Sequence, residues 1–383
     1  MRSLDEFAGE KLRALERAHL RRTPLVTART GIHAERAGRR LLSFSCNDYL
    51  NLTHHPATVA AAIEATKRHG VGAGASRLVT GNHPIHVELE ERLSRLKGTE
   101  AACVFGSGYL ANTGIIPTLI GPDDLLLIDE LSHACLHAGA KLSGATVYRY
   151  RHCDVSHAQD LLSANRAGRA KALIATDGVF SMDGDLAPLH DLAELARRFD
   201  AWLLADDAHG LGVVGGGRGS TFVNGGPGDV PLQMGTLSKA IGAYGGYLCA
   251  SRPVIDLMRT RARTFIYSTG LPPAIAAASI AAIDLIERDR TFVGEPTRKA
   301  RLFARALNLP EPQSAIVPLI LGDAGRAMEA ARALEEDGFL VVAIRPPTVP
   351  RDTARLRFAF TAGHSDSDVA RLAESVRIRV LGC

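Results

Sequence analysis

Two short segments hold the residue types best suited to chemistry: Leu203-Leu204-Ala205-Asp206-Asp207-Ala208-His209-Gly210 and, farther along, Gly235-Thr236-Leu237-Ser238-Lys239. The apolar run reads as a strand that carries Asp206 at its carboxyl end, with His209 on the loop beyond. A carboxylate in that position can keep a pyridine nitrogen protonated and strengthen the ring as an electron sink. An imidazole can bond the ring's phenolic oxygen, and a lysine amine can hold the aldehyde carbon as a Schiff base. Asp206, His209 and Lys239 therefore match the needs of pyridoxal 5'-phosphate. Lys239 by itself would be an ordinary lysine, and Asp206 with His209 a solvated strand end; their combination points to the cofactor.

A phosphate calls for bare amides at the start of a helix. Gly106-Ser107-Gly108-Tyr109-Leu110-Ala111 follows the strand Ala101–Phe105 and opens a helix, so it is a candidate phosphate loop. Asp129 at the end of the next strand nearly completes a Rossmann fingerprint, which keeps an NAD-dependent dehydrogenase as the rival reading. Such an enzyme has no use for Lys239. Gly70-Val71-Gly72-Ala73-Gly74-Ala75 follows a helical run instead of a strand and reads equally as a connecting loop. His133 could stack on a planar cofactor or cap the next helix. Thr236-x-x-Lys239 lacks the serine and companion motifs of acyl-enzymes, and Ser107 lacks the spacing of a nucleophile elbow. No H-E-x-x-H occurs, and neither His54-His55 nor His133 with His137 has a third ligand at a diagnostic spacing, so no metal is expected.

These residues need a scaffold. Short apolar runs at Ala101–Phe105, Leu125–Asp129, Thr146–Tyr150, Ala172–Thr176 and Trp202–Asp206 alternate with helical segments, the rhythm of a mostly parallel sheet. Leu232–Gly235 and Gly246–Ala250 are joined too tightly for a helical crossover and are expected to be antiparallel. An alanine-rich helix, Pro273–Arg288, leaves this α/β unit. After it an α+β pattern begins, with strands near Ile316–Leu321, Phe339–Ile344 and Arg355–Phe360. The reading is an N-terminal helix and segment over residues 1–50, a large domain over 51–288 and a small one over 289–383. A length of 383 residues suits such a division. Leucines and Phe7 at helical spacing between Leu4 and Leu20 predict an amphipathic helix that packs on the body or on a second subunit.

A formal charge of +4, with basic residues scattered along the chain, argues against nucleic acid as a partner. The six cysteines form no CxxC pair, which suits a reduced intracellular protein. The first residues hold no apolar stretch long enough for a signal peptide or a membrane span, so the expected compartment is the cytoplasm.

Across nearly its whole length the chain resembles the α-oxoamine synthases. The resemblance is carried by Ser45-Cys46-Asn47-Asp48-Tyr49-Leu50, Gly72-Ala73-Gly74-Ala75-Ser76-Arg77, Val79-Thr80-Gly81, Gly106-Ser107-Gly108-Tyr109, Val179-Phe180-Ser181-Met182-Asp183-Gly184, Asp206-Asp207-Ala208-His209-Gly210 and Thr236-Leu237-Ser238-Lys239. It implies the fold-type I architecture of pyridoxal-phosphate-dependent transferases, a homodimer with shared active sites and a seven-stranded sheet with one antiparallel strand. By the same resemblance Gly108, Tyr109, Thr236 and the partner's Thr269 meet the phosphate, and Ser107 is also cofactor-binding. His133 would stack on the ring, Ser181 and His209 would bond its phenolic oxygen, Asn47 and Arg345 would take the amino-acid carboxylate, and Arg21 and Thr348 would lie near the acyl substrate. Arg345-Pro346-Pro347-Thr348-Val349-Pro350 and Thr353-Ala354-Arg355-Leu356-Arg357 look like the biotin-pathway branch. That branch implies L-alanine and a pimeloyl thioester, on coenzyme A or acyl carrier protein. Asp177 departs from the pattern, which more often has glutamate.

Overall fold

The computed structural model describes residues 3–17, 20–226 and 229–382. The opening helix, Leu4–Arg17, buries none of its side chains on its own chain, and Leu4 and Phe7 are exposed. Three antiparallel strands follow, β1 (Ala28–Thr30), β2 (His33–Arg36) and β3 (Arg39–Ser43).

The central sheet comprises β4 (Ala101–Phe105), β5 (Leu125–Asp129), β6 (Thr146–Tyr150), β7 (Ala172–Asp177), β8 (Trp202–Asp206), β9 (Leu232–Thr236) and β10 (Gly246–Ala250), in the order β4-β10-β9-β8-β7-β5-β6. Every residue of β4, β5, β7, β9 and β10 is buried, because helices cover both faces. The edge strand β6 alternates in burial instead. Five strands, β6, β5, β7, β8 and β9, pair in parallel, and β10 runs antiparallel to both β4 and β9, as expected.

Parallel pairing places the carboxyl ends of β5, β7, β8 and β9 on one rim. There the register sets Asp177 beside Asp206. Loops at such a rim are where an open α/β sheet binds ligands.

The helix Pro273–Arg288 runs to Asp289, whose carboxylate caps the next helix, Arg290–Ala306, by accepting from Phe292 N at 3.0 Å. Beyond it, β11 (Ile316–Gly322), β12 (Phe339–Leu340), β13 (Val342–Ile344) and β14 (Ala354–Ala359) form the C-terminal part. The run expected as one strand over Phe339–Ile344 is two. β12 pairs in parallel with β3, and β13 pairs with β14 in the sheet β11-β14-β13. Leu42 and Phe44 accordingly share a core with Phe303, Phe339, Phe358 and Phe360. Part of the first fifty residues is thus packed with the C-terminal elements.

Asp207, the second acid of the Asp206-Asp207 pair, turns away from the rim. Its carboxylate meets Lys97 Nζ at 2.8 Å with both side chains fully buried. Lys97 also donates to Arg218 O at 2.6 Å, and Ser220 N donates to Asp207 Oδ1 at 2.9 Å. A Cβ at Gly178, Gly210 or Gly219 would crowd this carboxylate, so the glycines clear room for it. Breaking a buried pair strands one charge without a partner, at a cost of about 3–5 kcal/mol. Lys97→Met is expected to lose that much in urea unfolding; a loss below about 1 kcal/mol, as for a surface pair, would contradict the assignment. Among the described residues no helix is long and apolar enough to cross a membrane.

Candidate active site

A cavity of about 200 Å³ opens at the rim, lined by Gly108, Tyr109, His133, Cys135, Asp177, Asp206, Ala208, His209, Met234, Thr236 and Lys239. The helix Gly108–Leu119 begins against it, and Ser107 Oγ caps that helix by accepting from Leu110 N at 3.1 Å. The amides of Gly108 and Tyr109, first in the helix, have no acceptor a turn earlier and sit at its positive end. Side chains would spoil this turn: a Cβ on Gly246 of β10 would lie 2.6 Å from Gly108 N and 2.5 Å from Ser107 O.

Asp206 ends β8 with its carboxylate held from two sides. Asn112 Nδ2 donates to Oδ2 at 2.7 Å, and Ala208 N donates to Oδ1 at 3.0 Å. Cys135 Sγ stands 3.7 Å from Oδ2. Beside it Asp177 accepts from His133 N at 3.0 Å. Burial, and next the Asp206 charge, push the Asp177 carboxyl well above the usual carboxylate range. Both causes favour the protonated form of Asp177.

A second chain of contacts reaches the cavity from behind. Tyr49 Oη lies 2.7 Å from His209 Nδ1 and 3.2 Å from Asn47 Oδ1, and accepts from Arg357 Nη2 at 3.2 Å. Arg357 also donates to Asn47 Oδ1 at 3.2 Å and, through Nε, to Ser181 O at 2.5 Å. Burial, helped by the charges of Lys239 and Arg357, holds His209 well below its ordinary pKa. The ring is neutral. Tyr49 has one hydroxyl proton to share between His209 Nδ1 at 2.7 Å and Asn47 Oδ1 at 3.2 Å; given to the nearer Nδ1, it leaves the ring proton on Nε2. His209 then presents a donor suited to a phenolic oxygen.

Lys239 is partly open to the cavity and, among the described residues, its amine makes no hydrogen bond. Burial lowers its pKa from the usual lysine value; Asp206 and Asp177 offset part of the effect, and Arg357 adds to it. The neutral, nucleophilic form is therefore reached at lower pH than for a free lysine. Capture of pyridoxal phosphate by the apoprotein is expected to speed up with a midpoint below about 10.4, the ordinary lysine value. A stopped-flow profile centred at or above it would contradict this.

The other expected site residues are distributed as follows. His133 both caps and lines: its Nδ1 accepts from Cys135 N at 3.3 Å while the ring borders the cavity. Thr236 lines the cavity and donates to Gly245 O at 2.6 Å. Ser181 lies outside the lining residues, and its carbonyl anchors Arg357. Thr269 is exposed, bridged to Ser76, and is not among its own chain's lining residues. Asn47 meets Arg357 instead of Arg345, which donates to Met328 Sδ at 3.0 Å. Thr348 is met by Arg22 Nη2 at 3.0 Å, whereas Arg21 pairs with Glu16 at 3.2 Å. Tyr49, Asn112, Cys135 and Arg357 were not singled out by sequence reasoning, although Tyr49 and Arg357 stand inside the runs quoted for the resemblance.

These groups fit pyridoxal phosphate. An amine without a partner, a carboxylate fixed by two donors, a neutral imidazole donor and a helix start face one cavity of small-molecule size. The dinucleotide reading fares worse, because Asp129 is occupied: it takes His152 Nδ1 at 3.1 Å, Leu131 N at 2.9 Å and Cys153 N at 2.8 Å. Both carboxylate oxygens already accept and the side chain is fully buried, which keeps it from a ribose.

Comparison with known proteins agrees. The family model for aminotransferase class I and II matches residues 39–376. The chain is 66% identical to the 8-amino-7-oxononanoate synthase of Methylocella silvestris, over 90% of this chain and 99% of that one. It is 63% identical to that of Beijerinckia indica subsp. indica, over 98% of each. Among solved structures it superposes on a serine palmitoyltransferase from S. paucimobilis with bound PLP-myriocin aldimine at a TM-score of 0.91, with 28% identity over 99% of this chain and 100% of that one. It also matches the 8-amino-7-oxononanoate synthase of Francisella tularensis at a TM-score of 0.76, with 26% identity over 89% of this chain and 98% of that one. A rim that gathers these groups, in a chain so close to those enzymes, belongs to the aminotransferase class I and II family and, within it, to the 8-amino-7-oxononanoate synthases.

Proposed function

We propose that this chain condenses L-alanine with a pimeloyl thioester, on coenzyme A or acyl carrier protein, giving 8-amino-7-oxononanoate, CO2 and the free thiol, with pyridoxal 5'-phosphate held by Lys239. The observation that carries the reading is the meeting of Lys239, Asp206 and His209 in one cavity, joined through Tyr49 to Arg357 and Asn47. When bound, the cofactor supplies an electron sink, for Cα deprotonation and again for loss of the carboxyl group.

The chain supplies the rest. Asp206, steadied by Asn112 and Ala208 N, keeps a positive charge on the ring nitrogen. His209 Nε2 donates to the phenolic oxygen, and His133 covers one ring face. The amides of Gly108 and Tyr109, with Thr236, hold the phosphate. Arg357 and Asn47 receive the alanine carboxylate, the role first expected of Arg345 with Asn47. Lys239 Nζ, free once the alanine amine is in place, would take the Cα proton as general base. Once the acyl carbon had bonded to Cα and the thiolate and CO2 had left, Lys239 would return that proton to Cα, and the thiolate would take its own from solvent. Thr348, with Arg22 on its hydroxyl and Arg21 next in the chain, suits the distal carboxylate of the pimeloyl chain.

Two copies act together in this reading, each lending its exposed Thr269 to the other's phosphate. The compartment is the cytoplasm, whose reducing conditions suit the free thiols of Cys46, Cys103, Cys135, Cys153 and Cys249. The test is thiol release across a panel of amino acids and thioesters. Release that needs L-alanine and a pimeloyl thioester supports the reading; preference for glycine with a short thioester overturns it.

A further inference from the structure

His152 lies outside the cavity, on the loop after β6, between two acids. Its Nδ1 is 3.1 Å from Asp129 Oδ1, at the end of β5, and its Nε2 is 2.8 Å from Asp185 Oδ2. A carboxylate only accepts hydrogen bonds, so a ring with both nitrogens on carboxylates carries both protons and a positive charge. Burial alone would lower the imidazole pKa, but the bonds to Asp129 and Asp185, with one from Cys153, outweigh it and push the group up to about 12. The ring edge also packs on Phe180, at 4.3 Å between centroids and 89° between planes. Asp129, His152 and Cys153 stand close enough to suggest a metal. With both ring nitrogens committed to carboxylates, the cation of this cluster is the imidazolium itself.

The position of Asp185 gives the bridge its consequence. It closes a turn in which Phe180 N donates to Asp185 O at 3.0 Å and Val179 bridges to Leu186. From that turn Ser181 O takes Arg357 Nε, while Met182 O and Asp183 take Arg355. The turn therefore joins the sheet rim, through His152, to the two arginines of β14. We propose that His152 is a positioning residue: its charged ring ties the turn 178–186 to the rim and thereby sets the aim of Arg357 at the carboxylate of the amino-acid substrate. This rests on the role given above to Arg357.

The test uses the holoenzyme with His152→Gln and His152→Ala, reading alanine affinity from the spectral shift of the cofactor, cofactor affinity, kcat and KM, and melting temperature. Losing a charged hydrogen-bonded link is expected to weaken alanine binding and raise its KM by about tenfold, with cofactor affinity and kcat at saturation little changed. Added imidazole should restore alanine binding to His152→Ala, more at pH 6 than at pH 8, because only the protonated ring can serve both acids. Unchanged alanine binding in both variants overturns the proposal. So does a joint loss of cofactor, alanine binding and melting temperature without imidazole rescue, or stoichiometric zinc binding by the native protein that His152→Ala removes. Arg357→Lys separates the two claims. Weakened alanine binding in Arg357→Lys with native alanine binding in the His152 variants overturns this proposal alone; normal binding in Arg357→Lys overturns the Arg357 role and the proposal with it.

Discussion

Lys239→Ala is expected to lose the visible absorption of lysine-bound cofactor and to lower turnover by about 10⁴-fold, the upper range for removing an acid–base group. One amine anchors the cofactor and moves the Cα proton, so its removal stops both steps. The fold should not suffer. The folded chain depresses the pKa of this lysine, which means that below the ordinary lysine pKa its charge is a cost to the folded state. Removing the amine relieves that cost. As apoprotein the variant is expected to melt at or above the native apoprotein, and calorimetry of the two cofactor-free proteins beside the absorption spectrum separates lost chemistry from lost folding. A variant that keeps the band would remove Lys239 from the mechanism.

Asp206→Asn is expected to slow the exchange of the alanine Cα proton for deuterium by about 10²–10³-fold, in the range seen when a preorganised electrostatic group is removed. Asparagine is nearly the same size, so the cavity keeps its shape. Its amide cannot balance a protonated ring nitrogen, and Asn112 Nδ2, now 2.7 Å from the carboxylate, would face a neutral partner. Alanine binding should change little, because Arg357 and Asn47 lie on the Tyr49 side of the cavity. Proton exchange can be followed by NMR without any thioester, which isolates this step from the condensation. Exchange at the native rate would refute the role given to Asp206.

The parts legible in the sequence are those fixed by local pattern. The seven central strands show as apolar runs because most are buried on both faces, and tight spacing marked Leu232–Gly235 and Gly246–Ala250 as antiparallel. Asp206, His209 and Lys239 were legible because strand ends on one rim converge without any knowledge of the loops. Arg357 and Tyr49 escaped for the opposite reason. They meet across 308 residues of chain, where Ala359 N donates to Phe44 O and Ala362 N to Tyr49 O, contacts that no local pattern states. Alternation along β14 places Arg355 and Arg357 on one face, but only the packing of that sheet shows that the face meets Ser181 and Asp183. Arg21 and Arg22 are a similar case. They lie outside any helix or strand, so no periodicity says where either side chain points, and the structure gives Thr348 to Arg22. The break of Phe339–Ile344 into two strands follows from β12 pairing with β3 at the far end of the chain. For His133, stacking and capping were alternatives on paper, yet one ring does the capping while lining the cavity.

The central claim is that Lys239 holds the cofactor, and it can be read directly on the native protein. Borohydride reduction fixes pyridoxal phosphate to whichever amine carries it, and peptide mass mapping then locates the added mass. The account predicts a single modified peptide containing Lys239, with the label lost when L-alanine is added before reduction. Label on another lysine, or label on Lys239 that alanine fails to displace, would contradict it.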